Sequence, residues 1–164
     1  MIRQCFMERT GPDAKPLDVQ LNGERFASGP SVASSPRVLV AEDDPQLRKL
    51  IVRLLTFEGY LVTEASDALA MLEAVKGGRE YCDDTFDLIV TDVRMPGLSG
   101  LDALARLRES GCHAPAIVVS SMPRDLIQGQ VQELNAMFVP KPFALDNLRK
   151  LARLAIWGQV SDGT

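Results

Sequence analysis

The chain has 164 residues, with 18 Lys and Arg side chains against 22 Asp and Glu, and a formal net charge of −4 at pH 7. This length allows one well-packed domain plus an additional segment, and the charge gives no general attraction to nucleic acid or to an anionic membrane. The N-terminus lacks the apolar stretch of a signal peptide, and no segment is long and apolar enough to cross a bilayer, so we expect no membrane insertion.

The cysteine and histidine content limits the chemistry further. Cys5, Cys82 and Cys112 are scattered and form no CxxC pair, so they predict neither a disulfide framework nor a zinc site. This usage suits a reducing compartment, and we expect a cytoplasmic protein. His113 is the single histidine, which excludes a site built from several histidines.

Residues 1–36 differ in composition from the rest of the chain. They include the run SGPSVASSP, which is typical of a linker, and we predict a disordered N-terminal extension. Within it, LDVQLNGERF alternates apolar and polar residues around Asn22-Gly23, a turn signal that leaves a small hairpin as an alternative. A start codon placed too early in the gene is another.

From residue 37 onward, short apolar runs alternate with amphipathic segments. We predict strands at residues 38–41, 60–65, 86–92, 116–121 and 137–140. Helices follow each strand, the first capped by Asp44 and stopped by Gly59, the second starting at Ser66, and the last two at about 124–134 and 145–157. Five βα repeats predict an α/β fold, a doubly wound five-stranded parallel sheet with helices on both faces.

Polar side chains follow the ends of these predicted strands, where ligands bind in such folds. They are Glu42, Asp43 and Asp44 after the first strand, Asp92 at the end of the third, Ser120 and Ser121 at the end of the fourth, and Lys141 after the fifth. We expect them to converge on one edge of the sheet.

This set of groups suits phosphoryl chemistry. Crowded carboxylates normally bind a cation, and an all-oxygen set suits Mg²⁺. A carboxylate can also attack phosphorus to give an aspartyl phosphate, while a metal ion, a lysine and a hydroxyl neutralise or bind the phosphoryl oxygens. The residues therefore predict a Mg²⁺-dependent phosphoryl-accepting site.

Four motifs in this order, VLVAEDDP, LIVTDVRMPG, IVVSS and PKPF, resemble the receiver domain of two-component response regulators, the domain type of the chemotaxis regulator CheY. The resemblance implies a flavodoxin-like (CheY-like) strand order of 2-1-3-4-5. It also implies a receiver domain at residues 37–158, followed by a short tail at 159–164.

The same resemblance assigns roles around the metal. Asp92 would be the phosphoacceptor and a metal ligand. Asp43 would bind Mg²⁺ directly, Glu42 directly or through water, and the backbone carbonyl of Arg94 would complete the protein ligands.

It also assigns the signalling groups. Lys141 would pair with the phosphoryl group, and its peptide bond to Pro142 is expected to be cis. Ser120 takes the place of the switch hydroxyl, and Phe138 takes the place of the aromatic side chain that changes rotamer on activation.

Three features depart from the usual receiver pattern. Glu42 stands where Asp is more common, and the loop at 77–85 is longer than usual. The turn before the fifth strand is one residue shorter, which suggests a tighter or irregular fourth helix.

The resemblance implies a signalling receiver rather than an enzyme, catalysing only its own phosphoryl transfer and dephosphorylation. A sensor histidine kinase or phosphotransfer protein would supply the phosphoryl group. An unknown protein, or a second copy in a homodimer, would read the face formed by helix 4, strand 5 and helix 5. Few residues follow Lys141, so we expect a stand-alone receiver without direct DNA binding.

Two alternatives compete with this interpretation. A haloacid-dehalogenase-type phosphatase uses similar groups, but the acidic cluster before Asp92 has the wrong chain order for it. A receiver-fold binding module that works without phosphorylation stays open, although such modules usually lack the acceptor, the lysine or the acidic pair, and all are present.

Overall fold

The computed structural model describes residues 35–76 and 85–158. The predicted extension and hairpin, nearly all of the longer loop and the predicted tail therefore lie outside the described residues. The strands are β1 (Arg37–Ala41), β2 (Leu61–Ala65), β3 (Leu88–Asp92), β4 (Ala116–Ser120) and β5 (Ala136–Pro140). The helices are α1 (Pro45–Phe57), α2 (Ala68–Lys76), α3 (Gly100–Glu109), α4 (Arg124–Glu133) and α5 (Leu145–Trp157).

The five strands form one parallel sheet in the order β2-β1-β3-β4-β5, which confirms the predicted fold class and strand order. The chain first winds from β1 outward to β2 and then returns to β3 on the other side of β1. This reversal places the carboxyl ends of β1 and β3 side by side, the location at which such sheets bind ligands.

Two apolar clusters cover the two faces of the sheet. One joins alternate residues of the central strands, including Leu39 and Ile89, to α2, α3 and α4. The other joins the intervening residues, including Val38 and Leu88, to α1 and α5. β3 and β4 are buried along their whole length, which explains why they are continuous apolar runs without alternation.

Carboxylates cap the first two helices. Asp44 caps α1 as predicted, since its Oδ1 accepts from the N–H groups of Gln46 at 2.8 Å and Leu47 at 3.2 Å. For α2 the predicted start at Ser66 was wrong by two residues. Asp67 precedes the helix and its Oδ1 accepts from the Ala70 N–H at 2.8 Å, and this bond lowers the pKa of Asp67.

The connection between α4 and β5 is as short as the sequence suggested. Only Leu134 and Asn135 separate the two elements, and Asn135 has a left-handed φ of 49°. α4 itself is an uninterrupted ten-residue α-helix, so the turn and not the helix absorbs the missing residue.

Two further findings concern the described residues. Cys112 is buried in the apolar cluster beside α3. No helix within the described ranges is both long and apolar enough to span a bilayer.

Candidate functional site

Three carboxylates meet at the carboxyl ends of β1 and β3. Glu42, Asp43 and Asp92 each present an oxygen within 4.8 Å of the other two. Glu42 and Asp92 are almost fully buried, at 1% and 7% exposure, whereas Asp43 is exposed. An all-oxygen cluster with one side open to solvent fits a hard cation that keeps part of its water shell, as Mg²⁺ does.

Lys141 reaches this cluster from the end of β5. Its Nζ donates to Glu42 Oε2 and to Asp92 Oδ2, both at 2.8 Å. Its backbone N–H donates to the Ser120 carbonyl at 2.8 Å, which fixes the start of the loop, and the Lys141–Pro142 peptide bond is cis, as predicted. The ammonium group is therefore within hydrogen-bond distance of two of the three carboxylates.

The surroundings of Glu42 and Lys141 shift the pKa of each of these two groups. Burial raises the pKa of Glu42, the hydrogen bond from Lys141 opposes this, and the neighbouring charge of Asp92 adds to it. Burial alone would lower the pKa of Lys141, but the hydrogen bonds and charges of Asp92 and Glu42 outweigh it and raise that pKa. Lys141 is therefore a permanent cation at neutral pH.

The backbone that carries the first acids is fixed on several sides. The Glu42 N–H donates to the Ala65 carbonyl at 3.2 Å, and Arg48 Nη1 donates to the Glu42 carbonyl at 2.6 Å. The Asp44 N–H donates to Glu42 Oε1 at 3.3 Å. These bonds place the Glu42 side chain inside the cluster and leave Asp43 pointing to solvent.

Asp92 is fixed by the loop that follows β3. The Arg94 N–H donates to Asp92 Oδ1 at 3.2 Å, and the Thr91 hydroxyl donates to the Asp92 carbonyl at 3.1 Å. Gly100, the first residue of α3, packs so closely here that a Cβ at its position would overlap the Asp92 carbonyl oxygen. The glycine thus allows α3 to begin directly against the acceptor strand.

The hydroxyl groups at the end of β4 have different partners. Ser120 is fully buried, and its Oγ accepts from the Met122 N–H at 3.0 Å, a bond within its own loop. Ser121 is exposed, and its Oγ accepts from Arg94 Nη2 at 2.6 Å. The Arg94 side chain therefore connects the loops after β3 and β4, on either side of Asp92.

A comparison with known families assigns this arrangement. Residues 38–153 match the response regulator receiver domain. The chain belongs to this family.

Relatives and solved structures agree with this receiver assignment. The chain is 38% identical over 123 residues to the response regulator MprA of Mycobacterium ulcerans (strain Agy99), covering 73% of this chain and 49% of MprA. It resembles the Francisella response regulator 1452 receiver domain at a TM-score of 0.67 and 26% identity, over 74% of this chain and 97% of that one. It also resembles the Thermotoga maritima response regulator TrrA, solved in complex with Mg²⁺–BeF, at a TM-score of 0.63 and 26% identity, over 73% of this chain and 98% of that one.

The receiver is thus a signalling module of a two-component system. The chain spans about half the length of the curated MprA relatives that it matches. The expectations of a stand-alone protein and of no direct DNA binding therefore stay predictions.

The receiver structure brings together most of the residues predicted from sequence. Hydrogen bonds join Lys141 to Glu42 and Asp92, and Asp43 presents a carboxylate oxygen within 4.8 Å of theirs. Ser120 lies one strand away with its hydroxyl turned to Met122, and the metal-binding role of the Arg94 carbonyl stays a prediction.

Sequence reasoning did not predict two other residues around the receiver site. Arg48 supports the Glu42 carbonyl, and Gly100 allows the close approach of α3. Ser121 lies at the predicted edge of the sheet, but its contact with the Arg94 guanidinium was not predicted. Only Gly100 could have been recognised from the sequence. The residue directly after the helix cap Ser99 does not need a glycine for its backbone conformation, so a glycine there indicates close packing.

Proposed function

We propose that Asp92 accepts a phosphoryl group from a histidine kinase or phosphotransfer protein in a Mg²⁺-dependent reaction. The observation that carries the proposal is the double contact of Lys141 Nζ, 2.8 Å from both Asp92 Oδ2 and Glu42 Oε2. This contact places a cation where the oxygens of a phosphoryl group on Asp92 would carry negative charge. The Thermotoga TrrA receiver, solved with Mg²⁺–BeF, supports the proposal by similarity.

The transfer itself needs little from the protein beyond position and charge. An Asp92 carboxylate oxygen attacks phosphorus, and the bond from phosphorus to the donor atom breaks as the new P–O bond forms. Asp43, Glu42 and Asp92, with the Arg94 carbonyl, would hold Mg²⁺, which would neutralise charge on the phosphoryl oxygens. Lys141 exchanges part of its contact with Asp92 for a phosphoryl oxygen, and the Arg94 N–H orients the carboxylate.

Signalling follows from a change in the contacts of Ser120 and Phe138. The Ser120 hydroxyl would leave the Met122 N–H and donate to the phosphoryl group, and Phe138 would turn inward. Phe138 lines a groove of about 400 Å³ together with Val139, Asn147 and Leu151 of β5 and α5. A rotamer change at Phe138 would therefore alter the α4–β5–α5 face, which a separate protein or a second copy would read.

Lys141→Ala tests the proposed role of the ammonium group. The variant should bind beryllofluoride, a phosphoryl mimic, roughly ten- to hundredfold more weakly, because a partly buried charge-assisted hydrogen bond is lost. Its Mg²⁺ affinity should not fall, since the removed side chain is a cation and the carboxylates remain. NMR titrations with Mg²⁺ and then with beryllofluoride measure both quantities.

Lys49→Ala, which removes an exposed lysine on α1, is the matched control and should behave as wild type. Unchanged beryllofluoride affinity in Lys141→Ala would contradict the role of the lysine. A wild-type protein that does not respond to beryllofluoride at all would favour a binding module that works without phosphorylation.

A further inference from the structure

The aromatic side chain proposed as the switch has a cationic neighbour. The Arg124 guanidinium lies over the Phe138 ring, with its Cζ atom 5.9 Å from the ring centroid. Attraction between a cation and an aromatic face operates within about 6 Å. Phe138 is half-buried and Arg124 is exposed, so the contact closes over the outer side of the ring.

Among the residues that the structure describes, neither an ion pair nor the helix dipole explains the position of the Arg124 side chain. Within residues 35–76 and 85–158, Arg124 forms no salt bridge. It is the first residue of α4, where a positive charge opposes the helix dipole, and the preceding Pro123 provides no side-chain cap. The stacking over Phe138 is therefore the favourable contact that the structure gives to this side chain.

We propose that Arg124 is a latch that holds the Phe138 ring in its half-exposed position and so favours the resting state of the receiver. The proposal rests on the proposed function, in which Phe138 turns inward after phosphorylation of Asp92. An inward ring leaves an exposed guanidinium behind, so the contact stabilises one state only. A contact that differs between two states shifts their ratio, and one at an exposed site shifts it roughly two- to fivefold.

The latch also connects the switch to the output face. Arg124 is at the N-terminal end of α4, and Phe138 is in the middle of β5. When the ring leaves the surface, the first turn of α4 loses this contact with β5, while Ile127 stays packed in the apolar cluster. The rotamer change of Phe138 thereby alters the packing of α4 against β5.

Arg124→Gln tests the latch, with NMR titration of the Mg²⁺-saturated protein by beryllofluoride as the measurement. The variant should bind the mimic roughly two- to fivefold more tightly than wild type, because less of the binding free energy is used to release the ring. Arg124→Lys keeps a cation near the ring and should stay close to wild type.

The same Arg124→Gln change in a Phe138→Leu background separates the latch from other effects of the charge. There the ring face is absent, so the substitution should leave the affinity unchanged. An equal gain in both backgrounds would assign the effect to the helix dipole and overturn the latch, as would an unchanged affinity of Arg124→Gln alone. A wild type that does not bind beryllofluoride would overturn the proposed function together with the latch.

Discussion

At the residue scale, the buried carboxylate of Glu42 destabilises the fold when it is ionised, although it would help to hold Mg²⁺ in the proposed site. Its pKa is raised because burial disfavours the charged form more than the Lys141 hydrogen bond favours it. When the pKa of an acid is higher in the folded than in the unfolded state, the folded protein loses stability as the pH rises from the lower to the higher of the two pKa values. The ionised Glu42 carboxylate therefore destabilises the metal-free receiver at neutral pH, and a bound cation would remove this destabilisation.

We expect Glu42→Gln to be more stable than wild type at neutral pH without Mg²⁺. The difference should be small near the ordinary pKa of 4.5, where the protonated form of folded wild-type Glu42 predominates, and should grow as the pH rises through the raised value. Urea unfolding at several pH values in EDTA measures it.

Glu73→Gln, at an exposed position on α2, is the matched control and should show no such trend. If the difference between Glu42→Gln and wild type is the same at every pH, burial does not raise the pKa of Glu42 in the way described.

Sequence reasoning at this scale succeeded where strand ends decided the position. The ends of β1 and β3 place Glu42 and Asp92 at the same edge of the sheet, independently of their side-chain rotamers. It could not predict the contact of Arg94 with Ser121 or of Arg124 with Phe138. Both depend on the rotamers of long side chains and on loop geometry, which local sequence does not determine.

At the element scale, the approach of α3 to β3 depends on one missing side chain. A Cβ on Gly100 would overlap the Asp92 carbonyl oxygen, and this neighbour is backbone that cannot rotate away. We expect Gly100→Ala to lower the free energy of unfolding by about 1–3 kcal/mol, the usual cost of overpacking. Denaturant unfolding of the purified variant measures it.

Gly129→Ala provides the opposite expectation within the same fold. Gly129 is exposed inside α4, and a Cβ there would meet no atom within 4 Å. The substitution should stabilise the protein by about 0.5–1 kcal/mol through helix propensity. A Gly100→Ala variant as stable as wild type would show that α3 can move away from β3 at little cost.

The elements themselves were largely predictable. The fully buried strands β3 and β4 appear in the sequence as short, mainly apolar runs, whereas an amphipathic helix would interrupt such a run with polar residues. Helix α5 has the predicted bounds. The start of α2 was placed at Ser66, because serine and aspartate are both good caps and only the hydrogen bond of Asp67 decides between them.

At the scale of the whole molecule, the fold brings the residues of the proposed reaction together at one edge of the sheet. The reversal of strand order next to β1 brings acids of two strands and the lysine after a third into one cluster. Every proposed step after Mg²⁺ binding, including the movement of Phe138, depends on the capacity of Asp92 to accept a phosphoryl group.

Intact mass spectrometry after incubation with acetyl phosphate tests this capacity most directly. Wild type with Mg²⁺ should gain the mass of one phosphoryl group, and EDTA should suppress the gain, because the clustered carboxylates repel an uncompensated anion. Asp92→Asn should gain nothing, whereas Asp125→Asn, at an exposed position on α4, should be labelled like wild type. Equal labelling of Asp92→Asn, or no labelling of wild type with Mg²⁺, would contradict the assignment of Asp92 as the phosphoacceptor.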